Sequence, residues 1–412
     1  MSEYLSLSET ADLIGKSKET LRRWDKEGIL NAVREPVSNY RVYRKQDVQT
    51  LLGSLFDENF DDEVSNFVEP HYSYKVLELF AGAGGLAIGL EKSGLKCVAL
   101  NEIDKWACQT LRKNRPNWNV LEGDVKEYSF NKFKGNVDVV TGGFPCQAFS
   151  YAGKKLGLND ARGTLFYEFA RVVQEVEPAL CIGENVRGLL SHDNGKTLAG
   201  MISILDEIGY RVVPVEILKA VQYRVPQKRE RLILVGIRKD IEIEYIYPKP
   251  HKKIYNLRDA LKKGELFDCD VPKSKGSAYP EYKKQVLDMV PPKGYWRNLP
   301  IEVQKEYMGG SFYLGGGKTG MARRIGWDEP SLTLTCSPAQ KQTERCHPDE
   351  TRPFTVREYA RIQTFPDEWE FAGSTAQQYK QIGNAVPVNL GQELGFSVVK
   401  FLNEYYSLSK PK

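Results

Sequence analysis

Short apolar runs alternate with amphipathic stretches from Lys75 onward, and each apolar run has the length of one strand. The runs are KVLELF, CVALNE, VDVVTGG, PALCIGEN and RLILVGI, and several are followed by apolar positions at helical spacing. Strands that alternate with helices at this distance build βαβ units. The pattern predicts an α/β fold with a mostly parallel sheet, and chemistry at the carboxyl ends of its strands.

The first 53 residues have a different pattern, with two short amphipathic segments separated by a glycine turn. Ser6 and Glu9 form a capping box ahead of the first segment. Residues 18–27 predict a second helix, whose polar face carries Arg22 and Arg23. This order is typical of a helix-turn-helix, and the alternating stretch SNYRVYRK predicts a wing after it. The basic helix could contact DNA or be a solvated face without a partner.

Changes in composition predict the domain boundaries. Residues 1–53 form the helix-turn-helix module, and the acidic, turn-rich residues 54–73 form a linker. Residues 74–238 form the α/β domain, to which the chain returns at 351–412. Between them, residues 239–350 lose the strand and helix rhythm and are rich in lysine pairs, aromatic residues and glycine. We expect this segment to have a poor core of its own and to face a polyanion.

Composition narrows the class of protein. The chain has 412 residues, 41% hydrophobic and 27% charged, which indicates a soluble globular protein and excludes a collagen-like or mostly disordered one. No apolar run approaches the roughly 18 residues of a membrane span, and the acidic N-terminus is unlike a signal peptide, so we expect a cytoplasmic protein without membrane contact. The net charge of +4 permits a polyanionic partner. None of the seven cysteines forms a CxxC pair, which predicts reduced thiols and no metal site.

A glycine-rich turn, FAGAGG, follows the first strand of the α/β domain and opens a helix. Such glycines let a cofactor approach the backbone at a helix N-terminus. Glu102 lies 20 residues after Gly82, at the end of the next strand, where an acid can bind both ribose hydroxyls. Asp124, after the third strand, could accept a hydrogen bond from an adenine amino group. These residues indicate an adenosine-containing cofactor, and the alternative is a tight turn with surface acids.

Four further residues carry candidate chemistry. Cys146, in TGGFPCQAFS, follows a strand end and is the best nucleophile candidate among the cysteines, although alone it is more commonly structural. Glu184 also follows a strand. Gln227, Arg229 and Arg231 alternate, so an extended backbone would place all three side chains on one face. Together these groups suit a heterocycle whose ring gains and loses charge, whereas the alternative for the arginines is a surface ion pair with Glu230.

The chain resembles the C5-cytosine DNA methyltransferases. The resemblance is carried, in the order of the family, by FAGAGG, NEIDKWA, EGDV, GGFPCQAFS, ENVRGLL, QKRERLILVG, RPFTVREYARIQTFPD and GNAVPVNL. It covers residues 74 to 406 around one variable basic segment. The stretch SETADLIGKSKETLRRWDKEGIL resembles the winged helix of MerR and excisionase-type DNA binders.

The resemblance implies a Rossmann-like methyltransferase fold, S-adenosylmethionine as cofactor and a target cytosine flipped into the site. It implies that Cys146 attacks C6, that Glu184 holds N3 and the exocyclic amine, and that Arg229 and Arg231 hold O2 and the charge of the adduct. It also assigns eight residues to the cofactor site: Phe80, Gly82, Gly84, Glu102, Asp124, Pro145, Asn384 and Val386.

The variable segment corresponds to the family's target-recognition domain. Its candidate DNA contacts are the glycines 309, 310 and 315–317 with Lys318, Arg323 and Arg324, because guanidinium groups and close backbone are usual partners of bases and phosphates. The alternative there is a surface loop. The N-terminal module could bind the protein's own promoter or only add affinity for the duplex.

We therefore predict a bacterial DNA (cytosine-5) methyltransferase that acts on a short site in double-stranded DNA and protects it from a cognate restriction endonuclease, with no stable protein partner and as a monomer. A tRNA cytosine-5 methyltransferase is the second interpretation. A DNA-binding regulator with an inactive methylase body is the third, which the presence of all four catalytic candidates disfavours.

Overall fold

The computed structural model describes residues 4–14, 18–34, 40–48, 65–145, 164–314 and 318–409. The chain divides into two compact units, Met1–Ser65 and Asn66–Lys412. In the described ranges no helix is long and apolar enough to cross a membrane. The six described cysteines are free thiols.

The described part of the smaller unit contains two helices, a further helical stretch at residues 45–48 and a three-stranded antiparallel sheet in the order β1-β3-β2. The elements are β1 (Tyr4–Ser6), α1 (Leu7–Ile14), α2 (Lys18–Glu27), β2 (Val33–Arg34) and β3 (Arg41–Arg44). The predicted capping box is present, because the Ser6 N–H donates to Glu9 Oε2 at 2.8 Å and the Glu9 N–H donates to Ser6 Oγ at 3.2 Å. Asp25 of α2 accepts from the Ala32 N–H and from Arg41 Nε, both at 2.8 Å. This carboxylate therefore ties the second helix to the sheet.

The larger unit is built on an eight-stranded sheet in the order β10-β12-β8-β7-β4-β5-β6, with β9 paired to β12. The strands are β4 (Lys75–Leu79), β5 (Lys96–Glu102), β6 (Val120–Glu122), β7 (Val139–Gly142), β8 (Leu180–Val186), β9 (Tyr210–Val212), β10 (Glu216–Lys219) and β12 (Glu230–Arg238). The central strands are parallel, whereas β9, β10 and β12 pair antiparallel. The predicted α/β fold with a mostly parallel sheet is confirmed. A separate two-stranded parallel sheet joins β11 (Gln227–Lys228) to β13 (Ser331–Leu332).

Ten helices accompany these strands in the described part of this unit. They are α3 (Gly85–Lys92), α4 (Lys105–Asn114), α5 (Leu165–Val176), α6 (Lys196–Glu207), α7 (Leu257–Leu261), α8 (Glu281–Asp288), α9 (Ile301–Met308), α10 (Val356–Ile362), α11 (Thr375–Asn384) and α12 (Val388–Ser409).

Each face of the sheet carries a separate hydrophobic core. Val76 packs on one face with residues of α3 and α12, whereas Leu77 and Leu79 pack on the other with α5 and α6. The helices α3 and α12 approach closely at Gly89, where a Cβ atom would lie 2.5 Å from backbone atoms of α12. The last helix of the chain therefore packs on the first helix of the larger unit.

The segment 239–350 has a small core of its own, contrary to the expectation from sequence. Its core includes Trp296, Tyr307 and Met321. The Glu344 carboxylate lies inside it and bonds to Lys283, to the Tyr307 hydroxyl and to a backbone N–H, while burial raises its pKa. The apolar positions of this core are irregularly spaced, so no helical or strand period revealed them.

Candidate functional site

The turn after β4 is tightly shaped at the edge of the sheet. Phe80, Gly82 and Gly84 have φ angles of 57°, 55° and 85°, in the left-handed region that glycine adopts freely and that Phe80 adopts under strain. The Gly82 N–H donates to Glu102 Oε2 at 2.7 Å, and the Asp104 N–H donates to Glu102 Oε1 at 2.8 Å. The Glu102 carboxylate is therefore fixed in orientation beside the turn.

Two observations indicate that the predicted cofactor fits the edge of the sheet formed by this turn and Glu102. A Cβ atom built on Gly82 meets nothing within 4 Å, so open space faces the turn. On β4, Glu78 is buried and its Oε2 has no hydrogen-bond partner among the described residues. Burial, and then the charge of Glu102, raises the pKa of Glu78 well above its usual value. A buried carboxyl oxygen without a partner and a fixed acid suit a ligand that carries amino and hydroxyl groups. Sequence analysis missed Glu78, although a carboxyl group inside an apolar strand was a signal.

Two of the other predicted cofactor residues, Asp124 and Pro145, also follow the ends of strands in this sheet. β4, β5 and β6 are parallel neighbours, so Asp124 follows a strand end beside Glu102. Asp124 Oδ1 accepts from the Lys126 N–H at 3.0 Å. Pro145 is exposed after β7. These residues gather at one rim because the carboxyl ends of parallel strands coincide.

Asn384 is the last residue of α11, and Val386 lies in the turn that joins α11 to α12. Asn384 is exposed, and its Oδ1 accepts from the Cys336 thiol at 3.0 Å. Val386 is buried in the core beneath α12, and its carbonyl oxygen approaches the start of α3 so closely that a Cβ atom on Gly85 would lie 2.2 Å away. The turn therefore abuts the helix that the glycine-rich loop opens.

The second cluster contains Glu184 and Arg231. β8 and β12 pair antiparallel with Glu184 opposite Ile233 and Arg231 opposite Val186. Arg231 Nε lies 2.5 Å from Glu184 Oε1, and the two side chains are only 11% and 14% exposed. The structure brings together these two predicted catalytic residues as a largely buried ion pair.

Glu184 is also close to the segment that leads to the candidate nucleophile. A Cβ atom on Gly143 would lie 3.1 Å from Glu184 Oε2, and Asn185 Nδ2 donates to the Phe144 carbonyl at 2.9 Å. Cys146 itself lies outside the described residues. Only two residues, Phe144 and Pro145, separate it from Gly143.

Arg229 does not join the Glu184 pair by a hydrogen bond. It is 2% exposed and donates to the Leu334 carbonyl at 3.3 Å and the Gly383 carbonyl at 3.1 Å. Its Nε has no partner among the described residues. Burial, followed by the charge of Arg231, lowers the pKa of Arg229 to about 9. This buried guanidinium therefore connects two separate parts of the backbone, at Leu334 and at Gly383.

The candidate DNA contacts of the variable segment are largely occupied within the protein. The Lys318 ammonium donates to the Ser311 and Leu314 carbonyls. Arg323 pairs with Glu329 at 2.7 Å. The predicted glycine contacts 309 and 310 lie in a short 3-10 helix, Gly309–Tyr313, and residues 315–317 lie outside the described residues.

Arg324 is the clearest departure from the predicted DNA contacts. Its side chain is 5% exposed, and its guanidinium donates to the Leu287, Val290 and His347 carbonyls and to the Thr351 hydroxyl. A buried guanidinium with these partners organises the segment and leaves no free fork for a guanine edge. This geometry argues against the predicted contact of Arg324 with DNA.

The remaining candidates lie in the smaller unit. Arg22 and Arg23 are both exposed on α2, the second helix of the helix-turn-helix. Within the described residues no group of three His, Cys, Asp or Glu side chains could hold a metal ion.

Comparisons with known proteins cover both units. Residues 74–400 match the C-5 cytosine-specific DNA methylase family, and residues 5–53 match the MerR HTH family of regulatory proteins. The chain is 60% identical over 410 residues to the Type II methyltransferase M.Eco47II of Escherichia coli, covering 98% of this chain and 97% of that protein. It is 54% identical over 404 residues to M.PspPI of Psychrobacter sp. (strain TA137), covering 97% of each.

Solved structures agree on the fold. A putative DNA modification methyltransferase encoded within an E. coli prophage superposes with a TM-score of 0.62 at 20% identity, covering 80% of this chain and all of that one. Spodoptera frugiperda DNMT2 superposes with a TM-score of 0.56 at 19% identity, covering 78% of this chain and 98% of that one.

Proposed function

The chain belongs to the C-5 cytosine-specific DNA methylase family and methylates DNA with S-adenosylmethionine as cofactor, and from this premise we propose which residues perform each step. The observation that carries the proposal is the Glu184–Arg231 pair, held 2.5 Å apart beside the segment that leads to Cys146. The identity to Type II methyltransferases favours this function over a tRNA enzyme or an inactive regulator.

Cys146 supplies the nucleophile in this proposal. Its thiolate adds to C6 of the flipped cytosine, and the electron pair displaced from the C5–C6 bond makes C5 nucleophilic. The cofactor, when bound, supplies a methyl group on a sulfonium for C5 to take. A base, which we propose to be water, then removes the C5 proton, the C5–C6 double bond reforms, and the Cys146 thiolate leaves.

Glu184 and Arg231 act on the opposite side of the ring. Glu184 holds N3 and the exocyclic amine and favours a proton at N3, which lowers the cost of the charge that cysteine addition creates. Arg231 holds O2 and keeps the Glu184 carboxylate oriented. The structure favours Arg229 as a support behind Arg231, since its two terminal nitrogens already donate to backbone carbonyls.

Most of the proposed cofactor residues belong to the turn after β4 and to the ends of neighbouring strands. Phe80, Gly82 and Gly84 let the ligand approach the backbone, and Glu102 accepts from the ribose hydroxyls. Asp124 accepts a hydrogen bond from the adenine amino group. The proposed site is completed by three further residues: Pro145, Asn384 and Val386.

Covalent trapping tests the proposal. The recognised site is first read by bisulfite sequencing of DNA from a methylation-free host that expresses the chain, and a duplex with 5-fluorocytosine at that position is then incubated with enzyme and cofactor. Fluorine cannot leave as a cation, so the Cys146 adduct persists as a cross-linked band. Cys146→Ala should give no band, while Cys269→Ser, a change at an exposed thiol outside the proposed site, should retain it. Cross-linking by the Cys146 variant would refute the assignment.

We also propose that the protein acts as a monomer in the bacterial cytoplasm and protects DNA from a cognate restriction endonuclease. The Type II methyltransferases among its relatives support this pairing. Plasmid isolated from an expressing host should resist an endonuclease that cleaves the methylated site. Sedimentation of the free enzyme and of its DNA complex should give one chain per duplex.

The smaller unit adds a second DNA-binding surface in our proposal, through Arg22 and Arg23 of α2. Its match to the MerR HTH family and the exposure of both arginines support this role. Deleting residues 1–53 should leave the methylated sequence unchanged. It should also reduce the slope of log affinity against log salt concentration by about one for each phosphate that this unit neutralises. A changed recognition sequence would show that this unit reads the methylation site.

A further inference from the structure

Two buried glutamines lie between the two clusters of the site. Gln227 of β11 and Gln363, which directly follows α10, are each fully buried, and Gln227 Nε2 donates to Gln363 Oε1 at 2.8 Å. Neither has been given a role in binding the base or the cofactor. Each amide can donate twice and accept twice, so such a pair can connect several parts of the backbone.

Gln227 holds part of the variable segment, at Leu334. Its Oε1 accepts from the Leu334 N–H at 2.9 Å, while the carbonyl of Leu334 accepts from Arg229, two residues farther along the same strand segment. The N–H and the carbonyl of Leu334 are therefore both held by side chains of the segment that continues into Arg231.

Gln363 holds the turn on the cofactor side. Its Nε2 donates to the Ile382 carbonyl at 2.8 Å and to the Ala385 carbonyl at 3.2 Å, and its own carbonyl accepts from the Val388 N–H at 3.0 Å. These three bonds enclose the turn that carries Asn384 and Val386. The turn has little freedom to move while Gln363 keeps its amide.

The direction of the hydrogen bonds requires amides at both positions. The order runs from the Leu334 N–H to Gln227, from Gln227 to Gln363, and from Gln363 to two carbonyls. A carboxylate at position 363 would face two carbonyl oxygens with no proton to donate. A buried network in which every member is satisfied fixes one arrangement of the backbone.

We propose that Gln227 and Gln363 are positioning residues that hold the cofactor turn in register with the strand carrying the base-binding Arg231. This inference rests on the proposed function, because it assigns the turn to the cofactor and the strand to the base. Gln363 acts mainly on cofactor binding, since its side chain bonds directly to the turn. Gln227 acts more weakly, since it reaches the turn only through Gln363.

The test compares Gln363→Met with Gln381→Met in the full-length chain. Methionine keeps the length and removes the amide. Gln381 is a matched control, because it is also buried and its amide also bonds at both ends, to the Thr110 hydroxyl and to the Ala372 carbonyl at 2.9 Å, but not to the turn. Calorimetry measures the Kd for S-adenosylmethionine, and steady-state kinetics measures kcat and the KM for duplex DNA.

Gln363→Met should raise the cofactor Kd about tenfold, the equivalent of the buried bonds it loses, while the KM for DNA changes less than about twofold. Gln381→Met should change the cofactor Kd less than about twofold at a similar loss of melting temperature. An equal rise in Kd in both variants, or no rise in Gln363→Met, would overturn the proposal.

Gln227→Met keeps the inference testable if Gln363→Met does not fold. It should raise the cofactor Kd about threefold, because the turn keeps its direct bonds to Gln363. An unchanged Kd in this variant would also overturn the proposal. Failure of the proposed function is distinguishable, since the wild-type chain would then fail to cross-link to the fluorinated duplex whatever the glutamine variants do.

Discussion

Replacing Glu184 by Gln removes one charge from the most enclosed ion pair of the proposed catalytic cluster. The change keeps the size of the side chain and its capacity to accept one hydrogen bond. Arg231 then retains only neutral acceptors, including the Glu230 carbonyl at 2.8 Å. We expect two separate losses, one in stability and one in methyl transfer.

The stability loss follows from the burial of the pair. Breaking one partner of a buried pair costs about 3–5 kcal/mol, because a charge is left without its counterion. The two side chains keep 11% and 14% exposure, so we expect the lower end, about 3 kcal/mol. In a unit of this size each kcal/mol lowers the melting temperature by about 2 °C, which predicts a fall of about 6 °C.

A double-mutant cycle with Arg231→Met isolates the pair. The double variant should lose less stability than the sum of the two single variants by about 2 kcal/mol, since neither charge is left alone. Additivity within about 0.5 kcal/mol would refute the reasoning. The Glu184→Gln variant should also show a kcat about 10²–10⁴-fold below that of the wild type, because Glu184 manages the proton at N3 in the proposed mechanism. An unchanged kcat would remove that role.

Three further predictions concern the cofactor edge. Glu102→Gln should raise the Kd for S-adenosylmethionine about tenfold in calorimetry, with DNA affinity unchanged, because one charged acceptor for the ribose is lost. Gly85→Ala should lower the free energy of unfolding by about 1–3 kcal/mol in urea titrations and also weaken cofactor binding, because its Cβ would lie 2.2 Å from the Val386 carbonyl. Burial opposes the ionisation of Asp104, but its hydrogen bonds to Lys380 and to two backbone N–H groups keep its pKa below 3.8. A lowered pKa in the folded state gives stability above pH 3.8 that is lost as the pH falls through the folded value. Asp104→Ala should therefore cost about 1 kcal/mol at neutral pH and less at about pH 3, measured by thermal denaturation at both values; an equal cost at both would contradict this.

Much of the fold of both units could be predicted because its signals are local. Apolar runs such as residues 75–79 and 230–238 are the length of buried strands, and the Ser6 and Glu9 capping box lies within four residues. The closeness of the glycine-rich turn to Glu102 was also predictable, because parallel strands bring their carboxyl ends together. Phe80 and Glu102 needed only that rule to be placed near each other.

The roles of individual arginines could not be predicted in this way. Arg231 and Arg324 look alike in sequence, each next to charged residues, yet one pairs with Glu184 while the other donates to carbonyls of Leu287 and Val290. Those acceptors are distant along the chain from Arg324, and no local pattern indicates them. The core of the variable segment escaped prediction for the same reason.

The packing of α12 on α3 has a consequence for synthesis of the protein. A ribosome makes β4 and α3 long before it makes the turn that adjoins Gly85 and the helix that covers them. The nascent chain therefore has no finished ligand pocket during translation, however well its earlier strands have paired. We therefore expect activity only after α12 has been made, and a premature stop before residue 384 should yield a product unable to modify DNA.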